Sequence, residues 1–325
     1  MIRSSFTLIV YALIHPYVTA GQPLGTPDPD YIEYPYGEPP SEAEVELGKK
    51  LFFDPRLSVN ESQSCATCHN PDLGFSDGVK FSFGANGKKL ERHTPHLYNL
   101  AWNVIFAWDG RDMTLEEQAL GPIESKAEMG MSLTILPQRL GSIPGYKKLF
   151  KEVYNSEEIT AELVTQAIAA FERTIISNNS PFDKYIAGDK NAMSPAAIRG
   201  LELFKGKARC TECHDGENFT DNSFHNLGIK GDDPGRAKII NDDSLFGAFK
   251  TPGLRNIALS PPYMHDGSKA TLEEVMEFYN RGGDGAKNTS NVIKPLNLTK
   301  QEIYDLVAFM GALTDPVIIE RPSLP

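Results

Sequence analysis

The chain has 325 residues and a formal net charge of −11, with 43 acidic against 32 basic side chains. This acidic balance argues against nucleic acid as a partner and favours a protein partner that carries a basic patch. Hydrophobic residues make up 40% and charged residues 23% of the chain, which excludes both a disordered protein and a membrane bundle. The length predicts two domains.

The first 20 residues have the pattern of a secretory signal peptide. Arg3 precedes a mostly apolar run over 6–13, and small residues follow at 18–20, ahead of Gly21. The apolar run is shorter than the ~20 residues that a membrane-spanning helix needs. We therefore predict a signal peptide over 1–20, export to the periplasm and no stable membrane insertion.

The rest of the chain predicts a mainly α fold. Residues 21–40 are rich in Pro, Gly, Tyr and acids and predict an extended lead-in. Ser41 and Glu44 form a capping signal, after which apolar residues one turn apart predict the first helix. Residues 54–111 have no sustained period and predict long loops wrapped around a cofactor.

Further helices follow these loops. Apolar periodicity predicts helices over 115–120, 132–140, 146–154 and 158–176. Capping signals predict helices that begin after Ser194, Thr271 and Thr299. Since no stretch shows the length and alternation of a strand, the predicted class is mainly α.

The two halves of the chain repeat one pattern. In each half a helix that ends in Gly-x-x-Leu-Phe, at 48–52 and at 200–204, precedes a Cys-x-x-Cys-His string. A helix followed by this string is the arrangement of a small helical cytochrome domain. We predict two cytochrome c-like domains, over 41–188 and 189–325.

The two Cys-x-x-Cys-His strings contain all four cysteines and predict covalent haem. The thiols add across haem vinyl groups, and the adjacent histidine binds the iron from the proximal side. Zinc ribbons do not need a histidine after each cysteine pair, and an exported protein does not keep free dithiols. The sequence predicts two haem c groups bound by Cys65, Cys68, His69, Cys210, Cys213 and His214.

Strings outside the haem motifs carry a family resemblance. They include Phe-Ala-Trp-Asp-Gly-Arg at 106–111, Glu-Met-Gly at 128–130, Phe-Lys-Thr-Pro at 249–252 and Pro-Tyr-Met-His-Asp-Gly at 262–267. With them the chain resembles the bacterial diheme cytochrome c peroxidase family from about residue 41 to residue 313. The resemblance implies an enzyme that uses hydrogen peroxide and a redox partner protein.

In that family peroxide reacts at the first haem, and many members place a removable distal histidine in the loop after the first motif. Here that loop, at 83–89, contains no histidine. The resemblance therefore implies an open sixth position on the iron that His69 binds, and an open iron is a reaction site.

Further site residues are implied by spacing within the resemblance. Trp108 matches the tryptophan that lies between the two haems and passes electrons. The residues that match the distal pocket are Gln118, Pro122 and Glu128. Glu128 is the expected acid and base, because a carboxyl group in a dry pocket can move a proton between the two peroxide oxygens.

The second haem separates two branches of the family. The peroxidases have a methionine ligand fourteen residues after the histidine of Pro-Tyr-Phe-His, and the same count from His265 reaches Tyr279. Tyrosine there resembles the MauG and MbnH branch. A phenolate favours oxidised iron, whereas a thioether raises the haem potential. Met276, one helical turn earlier, remains the alternative ligand.

The family also binds calcium between its domains, and the matching positions are His93, Ser260 and Pro262. Histidine is a poor ligand for a hard cation, although its backbone carbonyl could serve. The sequence therefore leaves open whether the protein binds one calcium ion.

Three functions remain. The first is a MauG-like oxidase that withdraws electrons from an aromatic side chain of a partner protein. The second is a peroxidase that takes electrons from a small cytochrome c or a copper protein, and the third is a non-enzymatic diheme electron carrier. Tyr279 favours the first over the second, and the open position at His69 argues against the third.

Overall fold

Short helices and long loops make up the protein in a computed structural model, which describes residues 22–325. The predicted signal peptide lies outside the described residues. The α-helices are α1 (Glu42–Phe52), α2 (Cys65–Cys68), α3 (Leu115–Glu124), α4 (Ile135–Gly141), α5 (Pro144–Tyr154), α6 (Ala161–Glu172), α7 (Pro181–Ile186), α8 (Pro195–Lys205), α9 (Arg236–Ile240), α10 (Leu272–Asn280) and α11 (Lys300–Gly311). No helix within 22–325 is long and apolar enough to cross a membrane.

Strand structure is confined, in the described part of the chain, to one antiparallel pair, β1 (Phe224–His225) and β2 (Phe249–Lys250). Single 3-10 turns lie at Pro29–Tyr31, Pro55–Leu57, Pro71–Leu73, Leu100–Trp102, Cys210–Glu212, Asp243–Leu245 and Ile257–Leu259. The predicted mainly α class is thus confirmed.

Side-chain caps begin the helices where the sequence predicted them. The hydroxyls of Ser41, Ser194, Thr271 and Thr299 each accept a hydrogen bond from the backbone N–H three residues later. α6 is shorter than the helix predicted over 158–176. Thr160 is its N-cap, and the Thr160 hydroxyl accepts a hydrogen bond from the N–H of Leu163, the third residue of α6. The sequence did not predict α7, although Ser180 and Asp183 form a capping box there.

The repeated Gly-x-x-Leu-Phe strings lie where two helix pairs cross. α1 packs on α6, and α8 packs on α11. A Cβ on Gly48 would lie 1.7 Å from the carbonyl oxygen of Ala167, and one on Gly200 would lie 1.9 Å from that of Asp305. Only glycine permits either crossing.

Each helix pair belongs to a separate hydrophobic cluster. The buried residues of the first cluster lie between Leu47 and Ile175 in the sequence, and the partly buried Cys65 packs against them. Those of the second cluster lie between Phe182 and Leu313, and the partly buried Cys210 packs against them. Two cores with one haem motif each are what two cytochrome c-like domains require. α7 packs in the second cluster, although the predicted boundary at residue 188 assigns it to the first domain; the boundaries themselves stay a prediction.

The N-terminal lead-in lies on the second domain. The backbone N–H of Gln22 donates to Asp215, the hydroxyl of Thr26 donates to Asp183, and Arg255 donates to the carbonyl oxygen of Gly25. Arg255 is 1% exposed and also forms an ion pair with Asp183, at 2.8 Å. The segment predicted as an extended lead-in is therefore tied to a buried ion pair of the other half.

The C-terminal segment lies on the first domain. Val317 and Ile319 pack against the first cluster, and the side chain of Lys50 donates to the carbonyl oxygen of Ser323 at 2.8 Å. Arg56 donates to the carbonyl oxygen of Pro325 at 3.1 Å. The two ends of the chain thus cross over, each against the opposite domain.

Candidate haem centres and the wall between them

The first haem motif forms a short helix with its histidine at the end. Cys65 is the first and Cys68 the last residue of α2, and the backbone N–H of Ser64 donates to the side chain of Thr67. Nδ1 of His69 lies 3.0 Å from the carbonyl oxygen of Phe75. Because this carbonyl accepts a hydrogen bond from Nδ1–H, the proton stays on Nδ1 and Nε2 has a free lone pair for an iron.

The second motif repeats this geometry. Nδ1 of His214 lies 2.9 Å from the carbonyl oxygen of Phe219. Phe75 and Phe219 both have positive φ, 56° and 57°, which turns their carbonyl oxygens toward the histidine rings. Burial lowers the pKa of both His69 and His214, which favours the neutral imidazole that an iron ligand must be.

A cavity of about 1000 Å³ lies beside the first motif. Its lining contains Cys65, Cys68 and His69 together with the four residues predicted for catalysis, Trp108, Gln118, Pro122 and Glu128. The structure therefore brings these predicted residues to the same cavity as the first haem motif, although they follow His69 by 39 (Trp108) to 59 (Glu128) residues in the chain.

Glu128 is half-buried in this cavity. Burial raises the pKa of its carboxyl group, while Arg111 and the Ser125 side chain act in the opposite direction. A carboxyl group with a raised pKa can hold a proton and release it within one reaction cycle. The environment of Glu128 thus suits the acid and base predicted for it.

The loop 83–89 is pinned to the backbone of Glu128. The N–H of Ala85 donates to the carbonyl oxygen of Glu128 at 2.7 Å, and the side chain of Asn60 donates to the carbonyl oxygen of Ala85 at 2.7 Å. A Cβ on Gly84 would lie 1.8 Å from the carbonyl oxygen of Ala127. The loop that holds a removable histidine in many peroxidases is here a fixed support for the distal carboxyl group.

A smaller cavity, of about 180 Å³, lies beside the second motif. Tyr279 and Met276, the two alternative iron ligands, both line it with Cys210, Cys213 and His214. Burial raises the pKa of Tyr279 above its ordinary range, and its hydroxyl has no hydrogen-bond partner among residues 22–325. Met276 is 4% exposed and packs in the second cluster.

Trp108 lies in the wall that separates the two cavities and lines both of them. Its indole N–H donates to the carbonyl oxygen of His93 at 2.8 Å, and its carbonyl oxygen accepts from the N–H of Lys250 in β2 at 2.8 Å. The ring centroid of His265 lies 6.5 Å away, edge to face. Trp108 is thus fixed from both domains.

The three predicted calcium positions lie at the seam, which is the boundary between the two domains. Their ligand atoms do not fit a calcium ion. Nδ1 of His93 is 3.0 Å from the carbonyl oxygen of Val79, and Nε2 is 3.3 Å from the hydroxyl of Ser76. Both ring nitrogens are therefore in use, and Ser260 and Pro262 add neutral backbone oxygens only. Calcium sites in proteins collect carboxylates. The structure gives the calcium prediction no support.

Three residues in these cavities had been given no functional role by the sequence prediction. Glu172 is buried in the first cavity, where burial raises its pKa to about 8, and one of its oxygens has no partner among the described residues. His225 lines the second cavity and pairs with Asp221 at 2.8 Å, which raises its pKa to about 10. Lys250 lies in the wall and lines both cavities.

Both motifs fit covalent haem on this geometry. Each offers two cysteine side chains, a neutral histidine with a free Nε2 and an adjoining cavity. The unpartnered oxygen of Glu172 is a buried polar group that would otherwise be costly, and a polar prosthetic group beside it removes that cost.

Comparison with known proteins agrees with this fit. A family model described as di-haem cytochrome c peroxidase matches residues 42–191, and one described as cytochrome c matches residues 197–314. The methylamine utilization protein MauG of Methylorubrum extorquens is 45% identical over 302 residues, which cover 91% of this chain and 86% of that protein.

Two further relatives widen the comparison. The cytochrome c551 peroxidase of Nitrosomonas europaea is 37% identical over 288 residues, which cover 86% of this chain and 83% of that protein. The crystal structure of a MauG-like protein associated with microbial copper homeostasis has a TM-score of 0.82 and 34% identity, and covers 89% of this chain and 95% of that one. The chain therefore belongs to the di-haem cytochrome c peroxidase family, together with the MauG proteins, and is an oxidoreductase that carries two c-type haems.

Proposed function

We propose that this protein is a periplasmic, MauG-like enzyme that uses hydrogen peroxide to oxidise an aromatic side chain of a partner protein by long-range electron transfer. The observation that carries the proposal is Tyr279, which lines the second cavity together with His214 and whose hydroxyl is bound by no described residue. A phenolate in such a place needs a cation beside it, and an iron held by His214 would supply that cation. Tyr279 is therefore the proposed ligand, in preference to Met276.

The residues of the first cavity divide the work on peroxide. The haem bound by Cys65, Cys68 and His69 supplies the iron at which peroxide is reduced. Glu128 takes the proton from the near oxygen of hydrogen peroxide and returns it to the leaving oxygen. Gln118 and Pro122 line the cavity beside Glu128 and position the peroxide. With two electrons and two protons, one peroxide molecule gives two molecules of water.

Trp108 is the proposed route between the haems. It lines both cavities, and hydrogen bonds to His93 and Lys250 hold it in place between them. A rigid aromatic ring between two redox centres shortens the through-space gap that an electron must cross. The two electrons that peroxide requires then come from the partner protein by way of the second haem.

The partner is proposed to be a protein with a basic patch. The net charge of −11 would steer a basic surface toward this protein and raise the rate of encounter, more so at low salt. Export through residues 1–20 places the enzyme in the periplasm, where a partner would meet it. The domains are proposed to span 41–188 and 189–325.

Rapid mixing of the resting, fully oxidised enzyme with hydrogen peroxide tests this function. If Tyr279 is the ligand, the absorption bands of the second haem change together with those of the first, without any earlier reduction. Tyr279→Met should raise the potential of the second haem and abolish that change. Met276→Leu is the matched control on the same helix and should leave both haem spectra intact.

The alternative function is a peroxidase that removes hydrogen peroxide with electrons from a small cytochrome c or a copper protein. It predicts second-haem bands that stay unchanged after mixing, and turnover only when a small donor protein is supplied. That result in the wild-type enzyme would replace the MauG-like proposal. Trp108→Phe separates the steps further, since it should leave the peroxide reaction at the first haem intact and slow oxidation of any partner.

A further inference from the structure

Lys250 places a buried ammonium group in the wall between the two haem cavities. The residue is 7% exposed and lines both cavities. Its backbone is fixed in β2, where it pairs with Phe224 and donates to the carbonyl oxygen of Trp108. The backbone of Lys250 is therefore held in one position, from which its side chain adjoins both cavities.

The ammonium group of Lys250 has no counter-charge in the described part of the chain. Its one hydrogen bond goes to the carbonyl oxygen of the adjacent Thr251, at 3.1 Å, although an ammonium has three donors. Asp221 is the carboxylate that acts on it at longer range, and burial lowers the pKa of Lys250 to about 8. A buried cation without a partner is costly, so this position requires an anion.

The other polar groups of the wall do not need that anion. The indole N–H of Trp108 donates to the carbonyl oxygen of His93, and Nε2 of His96 is 2.9 Å from the carbonyl oxygen of Gly253. Burial lowers the pKa of His96 to about 4, which leaves it neutral. Arg92, which lines the first cavity, is already paired with Asp109 and Asp233. Of the residues shared by the two cavities, Lys250 is the cation.

Haem brings carboxylates into both cavities. Each haem c carries two propionate groups, and a carboxylate that enters a protein interior needs hydrogen-bond donors or a cation. Charge-assisted bonds from an ammonium are the strong form of that contact. We propose that Lys250 binds one propionate of each haem, and so forms an ionic bridge between the two haems across the wall that contains Trp108.

The bridge has a consequence for both irons. A positive charge near an iron makes its oxidised form less stable and raises its reduction potential, and the effect is large where solvent screening is weak. One ammonium shared by two propionates acts on both irons at once. It also fixes the separation and orientation of the haems at the side where Trp108 lies between them.

Potential measurements on the protein with both haems test this bridge. In Lys250→Met, spectroelectrochemical titration should show that both midpoint potentials fall, with a shift of about tenfold in the reduction equilibrium of each haem. Lys250→Arg restores a cation and should restore both potentials. Lys294→Met is the matched control, because Lys294 is an exposed cation that lines the second cavity alone. It should produce a smaller shift, confined to the second haem.

The outcomes decide the proposal in each direction. A fall in both potentials, reversed by arginine, supports the bridge. A fall in one potential alone, or in neither, overturns it, and so does a shift in Lys294→Met as large as that in Lys250→Met. If Lys250→Met does not yield protein with two haems, Lys250→Gln replaces it, because glutamine keeps a hydrogen-bond donor and removes the charge.

Discussion

The two haem sites share their attachment geometry and differ on the opposite side of the iron. In both, a histidine Nδ1 lies 2.9 to 3.0 Å from the carbonyl oxygen of a phenylalanine with positive φ. The first cavity is then about 1000 Å³ and contains Glu128, Gln118 and Arg111, whereas the second is about 180 Å³ and contains Tyr279 and Met276. The two sites thus share one mode of haem attachment, and the difference between their cavities is what the proposed function assigns to peroxide reduction at the first and electron transfer at the second.

The difference originates in what covers each motif. The first is covered by the loop 83–89 and by the segment after α3, which bring a carboxyl group and leave space. The second is covered by α10, whose side chains fill the space. A loop fixed by backbone contacts leaves room for a small substrate, whereas a packed helix places the proposed ligand Tyr279 in the cavity.

Loss of the second haem is the largest change that the comparison predicts. The double substitution of Cys210 and Cys213 by serine removes both thioether bonds, while the first motif lies in a separate core. The purified protein should then carry one haem in place of two, counted as the pyridine derivative and by mass after acid-acetone extraction. The corresponding double substitution of Cys65 and Cys68 should leave the other haem, and a protein that kept two haems in either case would contradict the assignment.

Glu128→Gln should remove the proton transfer and leave the cavity's shape unchanged. The reaction of the first haem with hydrogen peroxide should slow by about 10²- to 10⁴-fold, the usual effect of losing a general acid and base. Stopped-flow absorbance at the first-haem bands measures the rate. Glu124→Gln, an exposed position of α3 close to Glu128 in sequence, is the matched control and should react at the wild-type rate. Equal slowing in both variants would assign the effect to charge alone.

The repeated helix crossings should be equally sensitive in the two halves. Gly48→Ala and Gly200→Ala each place a methyl group within 2 Å of a backbone carbonyl oxygen on the facing helix. Each should lower the free energy of unfolding by about 1–3 kcal/mol or more, as overpacking does. Gly141→Ala has open space around its Cβ and serves as control. Denaturant unfolding measures all three, and a large loss in one half alone would show that the halves are not equivalent.

Glu172 should make stability depend on pH. Burial raises its folded-state pKa to about 8, above the ordinary value of 4.5, so its contribution is fully present below pH 4.5 and is lost as the pH rises toward 8. Glu172→Gln removes this loss, and the variant should gain on the wild type across that interval, by up to about 3 kcal/mol at pH 7. Denaturant unfolding at pH 5 and pH 7 provides the comparison. A constant difference between the two pH values would contradict a buried neutral carboxyl group.

Treatment with a calcium chelator should have the smallest effect on the stability of the protein. Both ring nitrogens of His93 already have polar partners, and the seam is tied by His93 to His265 and by Arg92 to Asp233. Treatment with a chelator should leave the melting temperature and both haem spectra unchanged, with calcium added back as the control. A drop in the melting temperature that calcium reverses would restore the calcium prediction.

Local signals account for the elements that the sequence predicted. A hydroxyl cap acts on an N–H three residues away, so Ser41, Ser194, Thr271 and Thr299 could be read without the fold. The helix over 158–176 was predicted too long, because apolar residues on both sides of α6 extend the periodic pattern beyond the cap at Thr160. α7 was missed since six residues are too few to show a period.

The crossed ends of the chain had no local signal. Thr26 contacts Asp183, and Lys50 contacts the backbone of Ser323, over 157 and 273 residues of sequence. An extended segment rich in proline and acids predicts no partner, because its contacts depend on where two finished cores lie relative to each other.

By itself, the sequence determined the chemistry that adjacent residues carry: two Cys-x-x-Cys-His strings, the helices that precede them and the glycines that mark the repeat. These depend on atoms a few residues apart, which sequence order alone brings together. The tertiary structure decided which side chains face the two haem cavities. Trp108 and Lys250 come from separate domains, and only the packing of the two domains brings them into one wall and buries a charge within it.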